Sequence, residues 1–242
     1  MEVLSMTYVM SDIHGEYDKF IELLEKINFS ENDTLYILGD IFDRGPHPIK
    51  IIRKIMQMPN VICIVGNHEL MGMRCLPFLM GEITEESIDA LDTNTLDNIL
   101  MWQSNGFSST IREFAKLDKE TQQAIIDYIG DFLTYEQITV NNQKYILVHA
   151  GLGDFSPEKA LDDYTIDELV WERPNYNQKY FDDTIIITGH TPTQVIKNND
   201  NPGYIFRKNN HIDIDCGACF ENGRLAALCL DTDEEFYSSE NT

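Results

Sequence analysis

The sequence predicts an α/β domain, and three observations carry that prediction. Short apolar, β-branched runs recur along the chain and end in polar residues. Amphipathic helical patterns lie between several of these runs. A longer segment, residues 70–133, breaks the alternation with a mostly helical pattern. Alternating strands and helices indicate a sheet whose crevices open at the carboxyl ends of the strands.

Five apolar runs predict buried strands, and each leads into a polar motif. In chain order they are TYVM before SDIHG, TLYIL before GDIFDRG, VICIV before GNHE, KYILV before HAG and TIIIT before GHT. Two helices follow the i, i+3, i+4, i+7 pattern in YDKFIELLEKI and PIKIIRKIMQM.

Residues 70–133 are predicted to be an inserted helical cap, because strand patterns resume on both sides of them. TLDNILMWQ and KETQQAIIDYIGDF are its clearest helical stretches. Two antiparallel strand patterns follow in IFRKNNHIDID and RLAALCLD. The acidic, polar residues 232–242 predict a disordered tail. We therefore expect a single domain over residues 1–242.

The composition limits the partners that can be expected. The chain has 41 acidic and 18 basic residues, for a formal net charge of −23. This field repels phosphate backbones, so we expect no nucleic-acid partner. A metal ion can still reverse the sign of the potential inside one cleft. At 43% hydrophobic residues the chain can bury a full core, which argues against intrinsic disorder.

The sequence also predicts a cytoplasmic protein without a membrane partner. The first residues, MEVLSMTYVM, lack the basic region of a secretory signal, and no apolar run approaches the roughly 18 residues of a membrane span. The five cysteines are an odd number and lie mostly in apolar runs, which favours free thiols. Cys216 and Cys219 form a single CxxC, interpreted as packing because a zinc site would want a second pair.

The strand-end motifs supply six side chains that can ligate a metal. They are Asp12, His14, Asp40, Asn67, His149 and His190. Taken alone, the DIHG motif could be a capped turn, and His149 could be a core histidine with its hydrogen bonds satisfied. We assign no role to His47 or His211. Together, carboxylate, imidazole and amide groups suit Mn, Fe or Zn better than a soft thiolate site. Because all six follow strand ends, we expect them to converge in one crevice.

The motifs DxHG, GDxxDRG, GNHE, HAG and GHT, in this order, resemble the PPP-type, calcineurin-like metallophosphoesterases. The resemblance is closest to the bacterial and phage branch that includes lambda phosphatase and the symmetrical diadenosine tetraphosphatases. It covers about residues 7–230 and is more specific for the superfamily than for the substrate. It implies a four-layer αββα sandwich of mixed sheets with a helical cap insertion.

The resemblance also implies a site for two divalent metal ions, with Mn²⁺ preferred and Fe or Zn as alternatives. Its ligands fall into three sets: Asp12 and His14 for the first ion, Asp40 as the bridge, and Asn67, His149 and His190 for the second. A carboxylate can span two ions about 3.5–4 Å apart. Asn67 is also expected to contact substrate.

The resemblance also implies separate roles for the charged residues after Asp40. Arg44 would offer a planar fork to two phosphate oxygens. Asp43 would orient His68 and favour its protonated form, so that His68 acts as the general acid. The implied reaction is direct attack by a metal-activated hydroxide, without a phosphoenzyme. The alternative for Asp43 and Arg44 is a surface ion pair contributing about 0–1 kcal/mol.

Two further segments resemble the family less closely. LVWERP is similar to an LWSRP-like segment and places Arg173 at the phosphate as a catalytic and substrate-binding residue. Glu172 stands where a small polar residue is more usual. WQSNGFSST, residues 102–110, resembles a cap stretch nearer W…NGG, from which Phe107 departs. Asn105 and Gly106 are interpreted as rim residues.

Three functions remain open from the sequence. The preferred one is a phosphomonoesterase of the Ser/Thr protein phosphatase type, acting on a phosphoprotein or a small phosphomonoester. The alternative is hydrolysis of a dinucleoside polyphosphate such as diadenosine tetraphosphate. A phosphate-binding protein without turnover is disfavoured because no expected ligand or catalytic residue is missing, and a nuclease is disfavoured by the charge.

The preference depends on the charge of the predicted cap. Its cations are Arg74, Arg112, Lys116 and Lys119, and its more numerous acids include Glu82, Glu85, Glu86, Asp89, Asp92 and Asp97. An acidic wall would repel a polyphosphate.

Overall fold

The computed structural model describes residues 5–81, 84, 86 and 90–240. Within them, two five-stranded sheets are formed by ten strands. The strands are β1 (Thr7–Met10), β2 (Thr34–Leu38), β3 (Val61–Ile64), β4 (Tyr135–Val140), β5 (Gln143–Val148), β6 (Thr184–Thr188), β7 (Phe206–Lys208), β8 (His211–Asp213), β9 (Ala226–Cys229) and β10 (Glu235–Tyr237). All five strands predicted from the apolar runs are present, as β1, β2, β3, β5 and β6.

Helices fill the connections between many of these strands. They are α1 (Tyr17–Lys26), α2 (Pro48–Ile55), α3 (Asn67–Leu79), α4 (Thr93–Ser104), α5 (Ser108–Phe114), α6 (Lys119–Gly130) and α7 (Ile166–Trp171). The sequence of α2 shows why it forms: proline occupies its first position, where the missing N–H costs nothing, and Ile49, Ile52 and Ile55 recur on one buried face.

The first sheet has the order β10-β9-β1-β2-β3. β1, β2 and β3 are parallel, with Val9 opposite Tyr36 and Tyr36 opposite Ile62, while β9 runs antiparallel to β1. Parallel strands end at the same edge, so the loops after β1, β2 and β3 lie side by side.

The second sheet has the order β4-β5-β6-β8-β7, in which β5, β6 and β8 are parallel. The loops after β5 and β6 are tied together by a hydrogen bond from Gly189 N–H to the His149 carbonyl, 2.8 Å. The HAG and GHT motifs therefore occupy neighbouring positions at one sheet edge.

The two sheets pack face to face. Val9 and Leu38 of the first sheet share a buried cluster with Leu147 and Ile187 of the second. Burying each such side chain contributes about 1.5–3 kcal/mol relative to exposure. Helices α1, α2 and α3 cover the outer face of the first sheet, and α7 covers part of the second. The predicted αββα sandwich of mixed sheets is confirmed.

The predicted cap, residues 70–133, contains most of α3 and all of α4, α5 and α6. Its acidic residues Glu82, Glu85 and Asp89 lie outside the described residues. None of the described helices is long and apolar enough to cross a membrane.

The prediction of a disordered tail over residues 232–242 is wrong for its first part. Residues 235–237 form β10, which pairs with β9 and places Phe236 opposite Ala227. The edge of β9 offers unpaired backbone groups, and Phe236 packs against the core beside α1. Apolar burial and edge pairing outweigh the polar composition of this segment. Residues 241–242 lie outside the described residues.

Candidate active site

The structure brings all six predicted metal ligands to one place. Asp12 and His14 follow β1, and Asp40 follows β2. Asn67 is the first residue of α3, directly after β3, while His149 and His190 follow β5 and β6. All except His190 are buried. The loops meet because the carboxyl ends of the parallel strands in both sheets face the same crevice.

Asp40 lies at the centre of this group. Its Oδ2 atom is 3.6 Å from His14 Nε2, and its Oδ1 atom is 3.4 Å from His149 Nε2. On the first side, Asp12 Oδ1 lies 3.9 Å from His14 Nε2. On the second side, a possible ligand group consists of Asp40, His149 and His190. The two oxygens of Asp40 therefore face separate sets of nitrogen donors, as a bridging carboxylate must.

The imidazoles are oriented for metal binding. His14 Nδ1–H donates to the Phe42 carbonyl at 2.8 Å, and His149 Nδ1–H donates to the Leu38 carbonyl at 2.7 Å. Each bond leaves Nε2 with a lone pair facing the crevice. Ligand histidines in metal sites are usually fixed in this way, by a hydrogen bond from the nitrogen that does not bind the metal.

Asn67 completes the second side. Its Oδ1 atom lies 3.0 Å from His149 Nε2 and 2.9 Å from His190 Nδ1. The His190 ring also bonds the Trp171 carbonyl. An amide oxygen and two imidazole nitrogens thus face one another at short range, which is a donor set that suits Mn, Fe or Zn.

The charge state of the site also fits a cation. Burial, with Asp12 and Glu69 nearby, raises the pKa of Asp40 well above its usual range. Burial also lowers the pKa of His14 well below its usual value and that of His190 to about 2. The protein residues alone thus oppose an ionised carboxylate here, and a divalent cation would reverse that balance.

Six site residues have backbone φ angles in the left-handed region. They are Asp12 (51°), His14 (45°), Asp40 (54°), Asp43 (69°), Arg44 (63°) and His190 (64°). Non-glycine residues in this region cost roughly 1–2 kcal/mol each, and such strain concentrates at functional sites. Gly189 permits the tight packing between the loops, because a Cβ there would lie 2.0 Å from Asp12 Oδ2.

His68 and Asp43 form a fully buried pair, with His68 Nδ1 2.6 Å from Asp43 Oδ2. An Arg44 Nη2–H group donates to His68 Nε2 at 3.2 Å, so the neutral imidazole carries its proton on Nδ1. His68 Nε2 is also 3.8 Å from Asp40, close enough for a metal ligand by distance. Its bonds to Asp43 and Arg44 occupy both nitrogens and favour a role other than metal binding.

The expectation that Asp43 favours the protonated form of His68 stays a prediction, since the protein residues around the ring act against that form. Burial, with Arg44 and His149 nearby, lowers the pKa of His68 well below its usual value. Burial also raises the pKa of Asp43 to about 7. Hydrogen bonds from Thr110 and Trp102 oppose that rise.

Glu69 is a site residue whose function the sequence reading missed. It is fully buried, and its carboxylate accepts hydrogen bonds from the N–H groups of Asp40, Ile41, Phe42 and Gly66, at 2.8–3.0 Å. Glu69 therefore holds the loop that carries Asp40. The sequence feature that could have revealed this role is the position of Glu69 in GNHE, three residues after the glycine that precedes α3. A glutamate at that position of a helix accepts hydrogen bonds from the N–H groups at the helix start.

Trp102 and Thr110 were also missed, although both fall in the quoted segment WQSNGFSST. Both side chains are buried and donate hydrogen bonds to the carboxylate of Asp43. Asn105 lies at the site, while the Gly106 carbonyl accepts a hydrogen bond from Arg44 N–H at 3.1 Å.

A cavity of about 470 Å³ opens over the ligands. It is lined by Asp12, Asp40, Arg44, Asn67, Asn105, Trp171, Arg173, His190, Pro192, Val195 and Phe220. Arg44 and Arg173 thus share one cleft with four of the predicted ligands. Arg173 is held by a hydrogen bond from its Nε–H group to Thr191 Oγ1, at 3.2 Å. Glu172, which stands where the family more usually has a small polar residue, packs against Gly153.

The acidic wall expected from the cap does not line this cavity among the described residues. Asn105 is the only cap residue in the described lining. Asp92 instead accepts hydrogen bonds from Thr95 at the start of α4, and Glu86 and Asp97 are likewise absent from the described lining. The predicted repulsion of a polyphosphate therefore lacks its structural basis in the described part of the cap.

The calcineurin-like phosphoesterase family model matches residues 6–216, which include all six predicted metal ligands as well as Asp43, Arg44, His68 and Arg173. The chain belongs to this family. The family and its sandwich fold are thus those that the sequence motifs predicted.

Individual relatives and solved structures show which members of the family the chain resembles. A "Bis(5'-nucleosyl)-tetraphosphatase, symmetrical" of Nitrosomonas europaea is 27% identical over 148 residues, covering 60% of this chain and 44% of the relative. The chain spans less than half the length of the curated relatives that it matches first.

Two solved structures show the likeness of fold. A protein provisionally named a diadenosine tetraphosphatase has a TM-score of 0.67 at 15% identity, covering 100% of this chain and 96% of the other. A Saccharomyces cerevisiae protein serine/threonine phosphatase has a TM-score of 0.56 at 15% identity, covering 98% of this chain and 81% of the other. At these identities the likeness concerns the fold, which both substrate classes share.

Proposed function

We propose that this chain hydrolyses dinucleoside polyphosphates with the help of two divalent metal ions, Mn²⁺ being the expected ion. The observation that carries the proposal is the central position of Asp40 between two ligand groups, in a cavity that also contains Arg44 and Arg173. The names of its relatives favour a nucleoside tetraphosphate substrate.

When bound, the two ions supply Lewis-acid activation of the phosphate and of a water molecule. Asp12 and His14 would hold one ion, Asn67, His149 and His190 the other, and Asp40 both. The remaining site residues act on the substrate itself. Arg44 and Arg173 bind non-bridging phosphate oxygens and stabilise charge that develops on them.

His68 is the proposed proton donor to the leaving oxygen. Asp43 holds the proton on His68 Nδ1, which directs Nε2 toward the cleft. In the structure Arg44 donates to that Nε2 atom. When Arg44 turns to a phosphate oxygen, Nε2 becomes free to take up a proton from solvent and pass it to the departing oxygen, and Asp43 stabilises the imidazolium that exists in between.

A polyphosphate substrate suits the described cleft better than the sequence reading allowed. The acidic composition of the cap favoured a phosphoprotein, but the described cavity lining contains no acidic residue of the cap. Its cations are Arg44 and Arg173, and its apolar groups include Trp171 and Phe220. Guanidinium groups beside aromatic rings can bind phosphates and an adjoining base.

The test compares three substrates at one Mn²⁺ concentration: diadenosine tetraphosphate, a phosphoserine peptide and p-nitrophenyl phosphate. We expect two ADP molecules from the dinucleotide, at a kcat/KM at least about a hundredfold above that of the peptide. A higher kcat/KM for the peptide would support the protein phosphatase instead. Repeating the series with Fe²⁺ and Zn²⁺ tests the preference for Mn²⁺.

A further inference from the structure

Two side chains from the helical segment 93–114 end on the carboxylate of Asp43. Trp102 on α4 donates its Nε1–H to Asp43 Oδ2 at 2.6 Å. Thr110 on α5 donates its hydroxyl to Asp43 Oδ1 at 2.5 Å. Trp102, Thr110 and Asp43 have no exposed surface. Neither donor is exposed to water. Losing either hydrogen bond would therefore leave a buried polar group without a partner.

The same segment also holds the backbone beside this carboxylate. Asp43 N–H donates to Thr110 Oγ1 at 3.0 Å, and Arg44 N–H donates to the Gly106 carbonyl at 3.1 Å. Asp43 and Arg44 are consecutive residues with φ angles of 69° and 63°. Such a conformation is unfavourable for residues with a Cβ and persists only where surrounding contacts enforce it.

These bonds leave the Asp43 carboxylate one orientation. Oδ1 faces Thr110, whereas Oδ2 is shared between Trp102 Nε1–H and His68 Nδ1–H. Without the two donors from the helical segment, the carboxylate is free to rotate about its bond to Cβ. His68 then loses the fixed partner that keeps its proton on Nδ1.

We propose that Trp102 and Thr110 are positioning residues, which aim Asp43 at His68 and so make the helical segment 93–114 part of the catalytic apparatus. The proposal rests on the proposed function, because it assumes that His68 protonates the leaving oxygen. The helical segment 93–114 would then affect the rate of reaction, in addition to any role in covering the substrate.

Packing alone is the competing explanation for both residues. The Trp102 ring makes an edge contact with Phe107, at 5.5 Å between ring centroids, and lies near Gly72. A packing role needs the ring but not its N–H group, and the Thr110 methyl but not its hydroxyl. Trp102→Phe and Thr110→Val therefore separate the two explanations, and Thr110→Ser restores the hydroxyl.

The experiment uses the Mn²⁺-loaded protein and two phosphomonoesters that differ in their leaving groups. The phosphoserine peptide releases an alkoxide that needs a proton, whereas p-nitrophenyl phosphate releases a phenolate that does not. We expect Thr110→Val and Trp102→Phe to lower kcat about 10- to 100-fold on the peptide, with KM nearly unchanged, and to lower it little on p-nitrophenyl phosphate. Thr110→Ser should recover most of the loss.

Two further comparisons sharpen this test. In a His68→Asn background, Thr110→Val should cost little more, because both changes act through the same step. Thr95→Val, which removes an exposed hydroxyl at the start of α4, is the matched control and should leave both substrates unaffected. Equal losses on the two substrates, or a full additional loss in the His68→Asn background, would overturn the positioning role.

A readout that needs no turnover distinguishes this proposal from the proposed function. With diamagnetic Zn²⁺ in place of Mn²⁺, the Nδ1–H proton of His68, hydrogen-bonded to Asp43, should give a slowly exchanging downfield NMR signal in the wild type and in Thr110→Ser. The signal should disappear or broaden in Thr110→Val while the amide spectrum shows a folded protein. Its persistence in Thr110→Val would overturn the proposal, even if the protein cleaves no dinucleotide. Failure to cleave dinucleotides, with the signal behaving as expected, would instead count against the proposed function alone.

Discussion

Replacement of Glu69 by glutamine should destabilise the protein by about 2–3 kcal/mol, and the reason lies in its four hydrogen bonds. Oε1 accepts from Ile41 and Phe42, and Oε2 accepts from Asp40 and Gly66. Glutamine keeps one acceptor oxygen but turns an amide NH₂ toward the other two N–H groups. Two buried donors without an acceptor cost about 1–3 kcal/mol each. Removing a buried charge offsets part of this loss, which places the net value near the lower end.

The assay is urea unfolding followed by circular dichroism in EDTA, so that metal binding does not contribute. Glu25→Gln, an exposed residue of α1, is the matched control and should change stability by less than about 0.5 kcal/mol. A loss below about 1 kcal/mol for Glu69→Gln, with the same dependence on urea as the wild type, would show that the Asp40 loop does not depend on this carboxylate.

Two further predictions concern the metal ions and the phosphate. Chelation should abolish activity, and full activity in EDTA would refute the metal requirement. Mn²⁺ at a hundredfold excess over its Kd should stabilise the protein by about 2.7 kcal/mol, which corresponds to a rise in Tm of about 5–11 °C. Asp40→Asn should remove this shift in Tm. Arg44→Ala and Arg173→Ala should each weaken inhibition by phosphate or vanadate and lower kcat/KM at least about tenfold. The control Arg53→Ala, on the exposed face of α2, should change neither quantity. An unaffected Arg173→Ala variant would show that the role assigned to LVWERP is wrong.

The fold was predictable because its main signals are local. Each apolar run such as TLYIL is short, ends in a polar motif and is separated from the next by a helical pattern. Strand and helix periodicities can be recognised within about ten residues. The positions of the six candidate ligand residues follow from the same pattern, since parallel strands deliver their carboxyl ends to one edge.

The supporting residues were not predictable in the same way, because their partners are distant in sequence. Trp102 reaches Asp43 across 59 positions, Thr110 across 67, and Glu69 reaches Asp40 across 29. No periodicity relates residues so far apart. The strand β10 escaped prediction for a related reason, since its pairing depends on the free edge of β9 rather than on its own acidic sequence.

The loop from Asp40 to Gly45 shows how the distant contacts and the local motif combine. Its six successive N–H groups all donate to acceptors: Asp40, Ile41 and Phe42 to Glu69, Asp43 to Thr110, Arg44 to Gly106, and Gly45 to His14. The motif contributes the Asp40 carboxylate between the two candidate ligand groups, the partner of His68 and an arginine, but no regular structure of its own. Three separate parts of the chain fix that conformation, including its left-handed residues. Because the acceptors are spread over these elements, loosening any one of them should disturb metal binding, proton transfer and phosphate binding to different extents.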